Sequence, residues 1–296
     1  PFSRFQRLDF GLTWHNISYT ILDRVINIYG QEELIKRPGS STKFSTILPR
    51  ASWIVDNSIF GFTRPIDGYR QNISITASPG WKTDFKFQTI KLDARKYWRF
   101  GRDYTLAVRG FFGRSQGKDA QKFFLGGVPY LLTDFQSGTT NGKSDPSAYR
   151  SVITDTSNSN LITDVYFTEY VYPMRGARFA ERIGTYASLF NFEVRFPFIN
   201  YLALGFPLKV VLGNIRGHAF VDVGAAWDSA DEFSSNSWPD KYGSNDTAKF
   251  SPWVVTSGLG VKINLGYFLL RVESAWDKNP SGYSKPQWYL SLGPDW

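Results

Sequence analysis

Apolar and polar residues alternate with a period of two through most of the second half of the chain. From Phe190 to Phe198 the even positions Phe190, Phe192, Val194, Phe196 and Phe198 are apolar, and Asn191, Glu193 and Arg195 fall between them. Ala219, Val221, Val223, Ala225 and Trp227 then share one face, opposed by His218, Asp222 and Gly224. Trp253, Val255, Leu259, Val261, Ile263 and Leu265 oppose Thr256, Gly258, Gly260, Lys262 and Asn264. Phe268, Leu270, Val272 and Trp276 oppose Arg271, Glu273 and Asp277, while Trp288, Leu290 and Leu292 oppose Tyr289, Ser291 and Gly293. Successive side chains of a strand point to opposite faces, so each stretch predicts a strand with one apolar face.

The first half repeats the pattern more weakly, in Leu8 to Trp14, Ile47 to Val55, Ile73 to Ala77 and Tyr104 to Phe112. Between Phe87 and Ile90 the phase slips, which predicts a bulge or a mis-set strand boundary. Tyr19 to Arg37 reads as a loop with a short helix, and Asn200 to Leu212 as a region that could hide a further strand. About ten strands are predicted, over residues 5–16, 42–56, 69–79, 84–98, 103–113, 184–198, 209–227, 252–265, 267–277 and 287–296. The connection at Leu265-Gly266-Tyr267 is very short, whereas 228–251 and the segment 114–183 are long and polar.

Long strands with one apolar face and strongly unequal loops predict an all-β fold. It is read as a transmembrane antiparallel up-and-down β-barrel occupying residues 1–296. The competing reading is a soluble β-sandwich, whose strands are usually shorter. The longest charge-free runs, Phe10 to Leu22 and Phe196 to Leu208, fall short of the roughly 18 residues a membrane helix needs. A membrane strand needs only about 9–11 residues with one apolar face, so a mean hydropathy of −0.29 does not exclude the membrane.

Composition narrows the chemistry. With no cysteine there is no disulfide, thiolate metal site or cysteine nucleophile, and with only His15 and His218 a histidine-based centre is not expected. Both histidines fall on the polar faces of their strands. No phosphate loop, dinucleotide fingerprint, metal cluster or nucleic-acid motif is present, so neither an enzyme, a cofactor nor a nucleic-acid partner is expected. The aromatic residues, 17% of the chain, find a place at strand ends as interfacial girdles: Trp81, Tyr97, Trp98, Tyr201, Trp227, Trp253, Tyr267, Trp276 and Trp288. The net charge of +8 is spread along the chain and reads as loop and lumen charge. Pro1-Phe2-Ser3, without an initiator Met or a signal-peptide pattern, reads as the start of a fragment or of the tail of a longer protein.

Several motifs occur in an order that resembles the BamA-like outer-membrane assembly family, the bacterial surface antigen family. Arg64-Pro65-Ile66-Asp67-Gly68 is similar to a family turn. Tyr172-Pro173-Met174-Arg175-Gly176-Ala177-Arg178-Phe179 resembles its Arg-Gly loop, although Ala177 stands where the family usually has an aromatic. Glu193-Val194-Arg195-Phe196-Pro197-Phe198, Phe220-Val221-Asp222-Val223-Gly224 and Gly258-Leu259-Gly260 follow, and Gln287 to Trp296 resembles the family's aromatic-ended last strand. The resemblance implies a barrel of sixteen strands, so either the amino-terminal strands are absent from this chain or it is a smaller relative, and the family's periplasmic receiving repeats are not found in it.

The resemblance also implies a site. Segment 114–183 would fold back as a plug, with Arg175 and Gly176 forming a lumenal pin on Glu193 and Asp222. Trp288, Leu290, Leu292 and Trp296 would carry the gate strand and assembly signal, with Pro294 shortening the pairing there. The expected location is the outer membrane of a Gram-negative type bacterium. Expected partners are outer-membrane lipid, periplasmic domains or accessory proteins, and client outer-membrane proteins inserted or translocated through a lateral seam. The alternative is a passive anchor or secretion pore of the same fold, fused to another periplasmic domain.

Overall fold

The computed structural model describes residues 4–26, 31–61, 64–80, 85–136, 167–177, 180–205, 210–233, 252–265, 268–279 and 282–293. The chain forms β1 (Gln6–Ile26), β2 (Glu32–Asp56), β3 (Ile59–Phe60), β4 (Pro65–Pro79), β5 (Lys86–Phe100) and β6 (Tyr104–Gly117). Four short strands follow: β7 (Phe123–Leu125), β8 (Leu131–Gln136), β9 (Glu169–Val171) and β10 (Arg182–Gly184). The long strands resume with β11 (Tyr186–Leu204), β12 (Val210–Trp227), β13 (Trp253–Asn264) and β14 (Leu269–Asn279), before β15 (Gly282–Tyr283) and β16 (Gln287–Gly293).

One large sheet runs in the order β1-β2-β4-β5-β6-β11-β12-β13-β14-β16-β8, so ten up-and-down strands are each paired with the next and β8 lies beyond β16. Every neighbouring pair is antiparallel. Among the described residues β1 and β8 are the two ends of this sheet, and it does not close on itself. The long segments, between β6 and β11 and between β12 and β13, leave from one end of the sheet; β5 and β6, and β13 and β14, are joined by short segments at the other.

The two faces differ as the alternation predicts. Phe10, Leu12 and Trp14 are 78%, 73% and 70% exposed, and Phe190, Phe192, Val194 and Val221 are also exposed on the outer face. Rows of exposed apolar side chains on this scale suit a lipid-facing surface, since a monomeric soluble protein rarely leaves such patches open. The inner face is polar and covered: Asn191, Glu193, Arg195, His218 and Asp222 are all fully buried.

The structure departs from the sequence expectation in several places. Tyr19 to Arg37 contains no helix among its described residues; β1 and β2 extend through it, with a register irregularity between Thr20 and Leu22. Its polar residues obscure the alternation. Asn200 to Leu212 holds the continuation of β11 and the start of β12 rather than a separate strand, and the ladder shifts between Pro197 and Ile199, where the Pro197 nitrogen has no hydrogen to donate. No bulge lies between Phe87 and Ile90, because β5 pairs with both neighbours in unbroken register. The apparent slip arises because Phe87 and Tyr97 point inward, leaving Ile90, Leu92 and Trp98 on the outer face. Tyr97 therefore is not a girdle residue. Trp98, Tyr201, Trp253 and Trp288 are exposed, as a girdle requires, while Trp81 and Tyr267 lie outside the described residues.

Segment 114–183 is not one irregular loop. Its start completes β6, and β7, β9 and β10 make a three-stranded sheet of their own. That small sheet and the residues that follow β9 pack on the inner face through Phe123, Leu125, Val171, Met174 and Ala177, against Phe111, Ala187, Leu189, Ala226 and Val254 of the wall. A second apolar cluster joins Phe167 to Ile17, Leu48, Phe85 and Phe87. Residues 137–166 of this segment lie outside the described residues.

Candidate functional site

The small sheet delivers Arg175 to the wall. Gly127 and Met174 exchange backbone hydrogen bonds of 3.2 and 3.0 Å, which ties the two limbs of the loop together directly before the arginine. Asn191 Nδ2 donates to the Pro173 carbonyl at 2.9 Å, and Arg109 donates to the Tyr172 carbonyl. The segment before the arginine is thereby held from both β6 and β11.

Arg175 is 1% exposed and meets three carboxylates. Its Nε and Nη2 donate to the two oxygens of Asp222 at 2.9 Å each, in the two-pronged geometry that a planar guanidinium favours. Nη1 donates to Glu193 Oε2 at 2.7 Å and reaches Glu273 Oε1 at 3.3 Å. The Arg175 backbone N–H also donates to Asp222, at 3.1 Å. Its Cζ stands 3.5 Å above the centre of the Phe220 ring, a cation–π contact inside a closed site. Burial disfavours the charge on Arg175, yet the carboxylates of Asp222, Glu193 and Glu273 outweigh it and hold the guanidinium well above its usual pKa.

Strand register explains why these groups converge. Asn191 lies opposite Asp222, Glu193 opposite Phe220, and Phe220 opposite Gly258; Glu273 lies opposite Gly260. All project to the same inner face, so acids on β11, β12 and β14 arrive around one point. The glycines of β13 make the room: a Cβ on Gly260 would stand 2.6 Å from His218 Cε1, and one on Gly258 would collide with the Phe220 ring. Gly176 has φ +85°, and a Cβ there would lie 3.1 Å from Ala275 Cβ and 3.3 Å from Thr256 Cβ. A side chain would thus be strained by its backbone and crowded by the wall.

Charge around the pin balances. Glu193 Oε1 also accepts from Arg195 Nε and Lys262 Nζ, both at 2.6 Å, and Glu273 Oε1 pairs with His218 Nε2 at 2.9 Å. Three buried carboxylates therefore meet three buried cations, Arg175, Arg195 and Lys262. Burying an unpaired charge is costly, so neither the wall nor the loop is satisfied without the other. A separate inner-face group joins Asp93 to Arg95 and Arg109 at 2.8–3.2 Å.

The four expected pin residues, Arg175, Gly176, Glu193 and Asp222, come together. Glu273, Phe220, Asn191, Arg195, Lys262 and His218 were not foreseen as members of the site, although the alternation places each on the polar face or beside it. On β16, Trp288 is exposed, Leu290 and Leu292 share its outward face, and Tyr289 and Ser291 point inward. Pro294 and Trp296 lie outside the described residues, as do Arg178 and Phe179. Pro65-Ile66-Asp67-Gly68 opens β4 rather than forming a free-standing turn, and Gly68, at φ +93°, has no room for a Cβ beside the Asn57 carbonyl.

Nothing in this arrangement holds a metal: no cluster of three or more His, Asp or Glu side chains suited to an ion occurs among the described residues. No helix among them is long and apolar enough to cross a membrane.

Comparison with known proteins places this geometry. No curated protein is matched by the chain. Among solved structures, BamA from Haemophilus ducreyi lacking POTRA domains 1–3 aligns with 99% of the chain and 52% of its own length, at TM-score 0.55 and 14% identity. CdiB from Acinetobacter baumannii aligns with 97% of the chain and 40% of its own length, at TM-score 0.40 and 11% identity. The chain thus spans about half the length of the BamA structure, with which it shares a fold. The Omp85 superfamily domain matches residues 1–296, and the chain belongs to the Omp85 superfamily.

Proposed function

We propose that this chain is part of an outer-membrane barrel that helps insert or translocate outer-membrane proteins through a lateral seam bounded by β16. In this reading the loop carrying Arg175 is a brace: it enters the lumen and pins β11, β12 and β14 to one another from within. The observation that carries the reading is the burial of one guanidinium against acids from three different strands. Such a linkage suits a wall that must open at one place, because it holds the strands beside the opening rigid.

The edge of a sheet is a template for adding a strand, and β16 is a short strand near the end of this sheet; its far edge is paired with β8 of the long loop, so a client strand would take the place of β8. Its outward Trp288, Leu290 and Leu292 would meet lipid, so a client strand pairing there would enter the bilayer directly. Periplasmic domains or accessory proteins would deliver the client.

Depletion of the protein in its native cell tests this. Quantitative proteomics of outer membranes should show a fall in a set of other barrel proteins within a few generations. Unchanged levels of every other outer-membrane protein would refute an assembly role; loss of a single secreted protein alone would make it a dedicated secretion pore instead.

A further inference from the structure

The inner side of β16 is tied to both limbs of the long loop. Tyr289 is 5% exposed, and its hydroxyl accepts a hydrogen bond from Gly176 N–H at 3.1 Å while donating to Gln287 Oε1 at 2.6 Å. Ser291 Oγ accepts from Arg271 Nε at 3.0 Å, and Arg271 Nη2 reaches the Pro129 carbonyl at 3.5 Å. Leu292 N–H donates to the Tyr130 carbonyl at 3.1 Å.

The Arg175-Gly176 pair therefore crosses the wall. At one end the Arg175 N–H is held by Asp222 of β12; at the other the Gly176 N–H is held by Tyr289 of β16. Between them the backbone lies against Thr256 of β13 and Ala275 of β14, which is why a Cβ at 176 would touch both. The two anchoring bonds belong to adjacent residues, so a shift of Tyr289 large enough to break a 3.1 Å contact must either release Gly176 or drag the residue that carries the pin.

We propose that Tyr289 is a positioning residue that couples the seating of Arg175 to the terminal strand, so that the pin and β16 loosen together. The coupling rests on the reading of the Arg175 loop as a brace, and it makes the brace sensitive to the state of the strand at the seam. Strand β16 is only seven residues long and has one ladder to β14 and one to β8, which itself belongs to the long loop, so the inward Tyr289 tie adds to an existing link between loop and strand.

The test is hydrogen exchange, read by mass spectrometry on the full protein in lipid nanodiscs, for the parent, Tyr289→Phe, Arg175→Ala and the double variant. Removing one buried acceptor should speed exchange in residues 287–293 and in 174–176 by roughly five- to tenfold, leaving β4 and β5 unchanged. Arg175→Ala should loosen β16 as well, and the double variant should fall short of the product of the two single effects. Faster exchange confined to β16 with the loop unchanged, or effects that multiply, would overturn the coupling. If Tyr289→Phe fails to fold, Arg175→Ala decides the matter by the same readout, since it releases the pin and leaves β16 chemically intact; unchanged exchange in residues 287–293 overturns the proposal. Exchange needs no client protein, so its outcome is independent of the depletion result.

Discussion

Replacement of Arg175 by alanine perturbs the site most sharply. The change removes four side-chain hydrogen bonds, two to Asp222 and one each to Glu193 and Glu273, together with the contact on Phe220. It leaves three buried carboxylates facing two cations, Arg195 and Lys262. Removing one partner of a buried ion pair typically costs about 3–5 kcal/mol, because the other charge stays buried without compensation. At about 1.4 kcal/mol per factor of ten, the seated loop should lose two to three orders of magnitude in population relative to displaced forms. Arg175→Lys keeps the charge but forfeits the two-pronged grip on Asp222, so it should recover only part of the loss. Adding Glu193→Gln to Arg175→Ala should restore some stability by removing the surplus negative charge. Urea titration of the folded band on a gel, combined with limited proteolysis of 167–184, reads both barrel stability and loop seating. An Arg175→Ala protein with the parent's midpoint and protease pattern would refute the brace, and so would a lysine variant no better than alanine.

Other sites give further tests. Gly176→Ala should lower the urea midpoint by an amount corresponding to about 1–3 kcal/mol, since φ +85° and a Cβ 3.1 Å from Ala275 penalise any side chain. Gly258→Ala should displace the Phe220 ring, seen as faster proteolysis of the Arg175 loop in an otherwise folded barrel. Phe10→Arg, on the outer face, should cost about 2–4 kcal/mol if that face meets the bilayer interior, whereas Thr13→Arg on the opposite face should cost far less; equal effects would contradict the assignment of faces. Phe220→Leu should weaken loop seating by about 0.5–2 kcal/mol through loss of the ring beneath Arg175, read by the same proteolysis.

Much of the architecture was legible because a strand in lipid must segregate its side chains on every second residue. Phe190 to Phe198 declare their outer face without ambiguity, and Glu193 and Asp222 could be placed inward by parity alone. The same rule failed where apolar residues serve the interior. Phe87 and Tyr97 are inward because a loop packs over them, and a period-two reading sees only a broken phase. β1 and β2 were truncated because their ends carry mixed polar and apolar residues on both faces. Membership of the site was legible only in part. Glu273 lies 98 residues from Arg175 and meets it through the pairing of β13 with β14, a register that no local pattern fixes. Tyr289 was placed on the inner face, but its partner Gly176 lies 113 residues away on a loop whose seat depends on β7, β9 and β10. Those strands are three residues each, too short to announce themselves by alternation.

The balance of charge has a consequence for how the wall is completed. Without the loop, Asp222 lacks its guanidinium and Glu193 and Glu273 each lose a donor; without the wall, Arg175 and the apolar face of β7 and β9 have nowhere to be buried. Each half would leave polar or apolar groups in the wrong solvent, so each is stable chiefly in the presence of the other. The acids sit on β11, β12 and β14, and Tyr289 sits on β16, so the loop can seat fully only after the last strand is paired. Seating of Arg175 is therefore a late event that reports on the terminal strand. Conditions that unpair β16 should release the loop before the long β4–β5–β6 ladders give way, and the reverse order would show that the brace is held by the small sheet and by the acids of β11, β12 and β14 without help from β16.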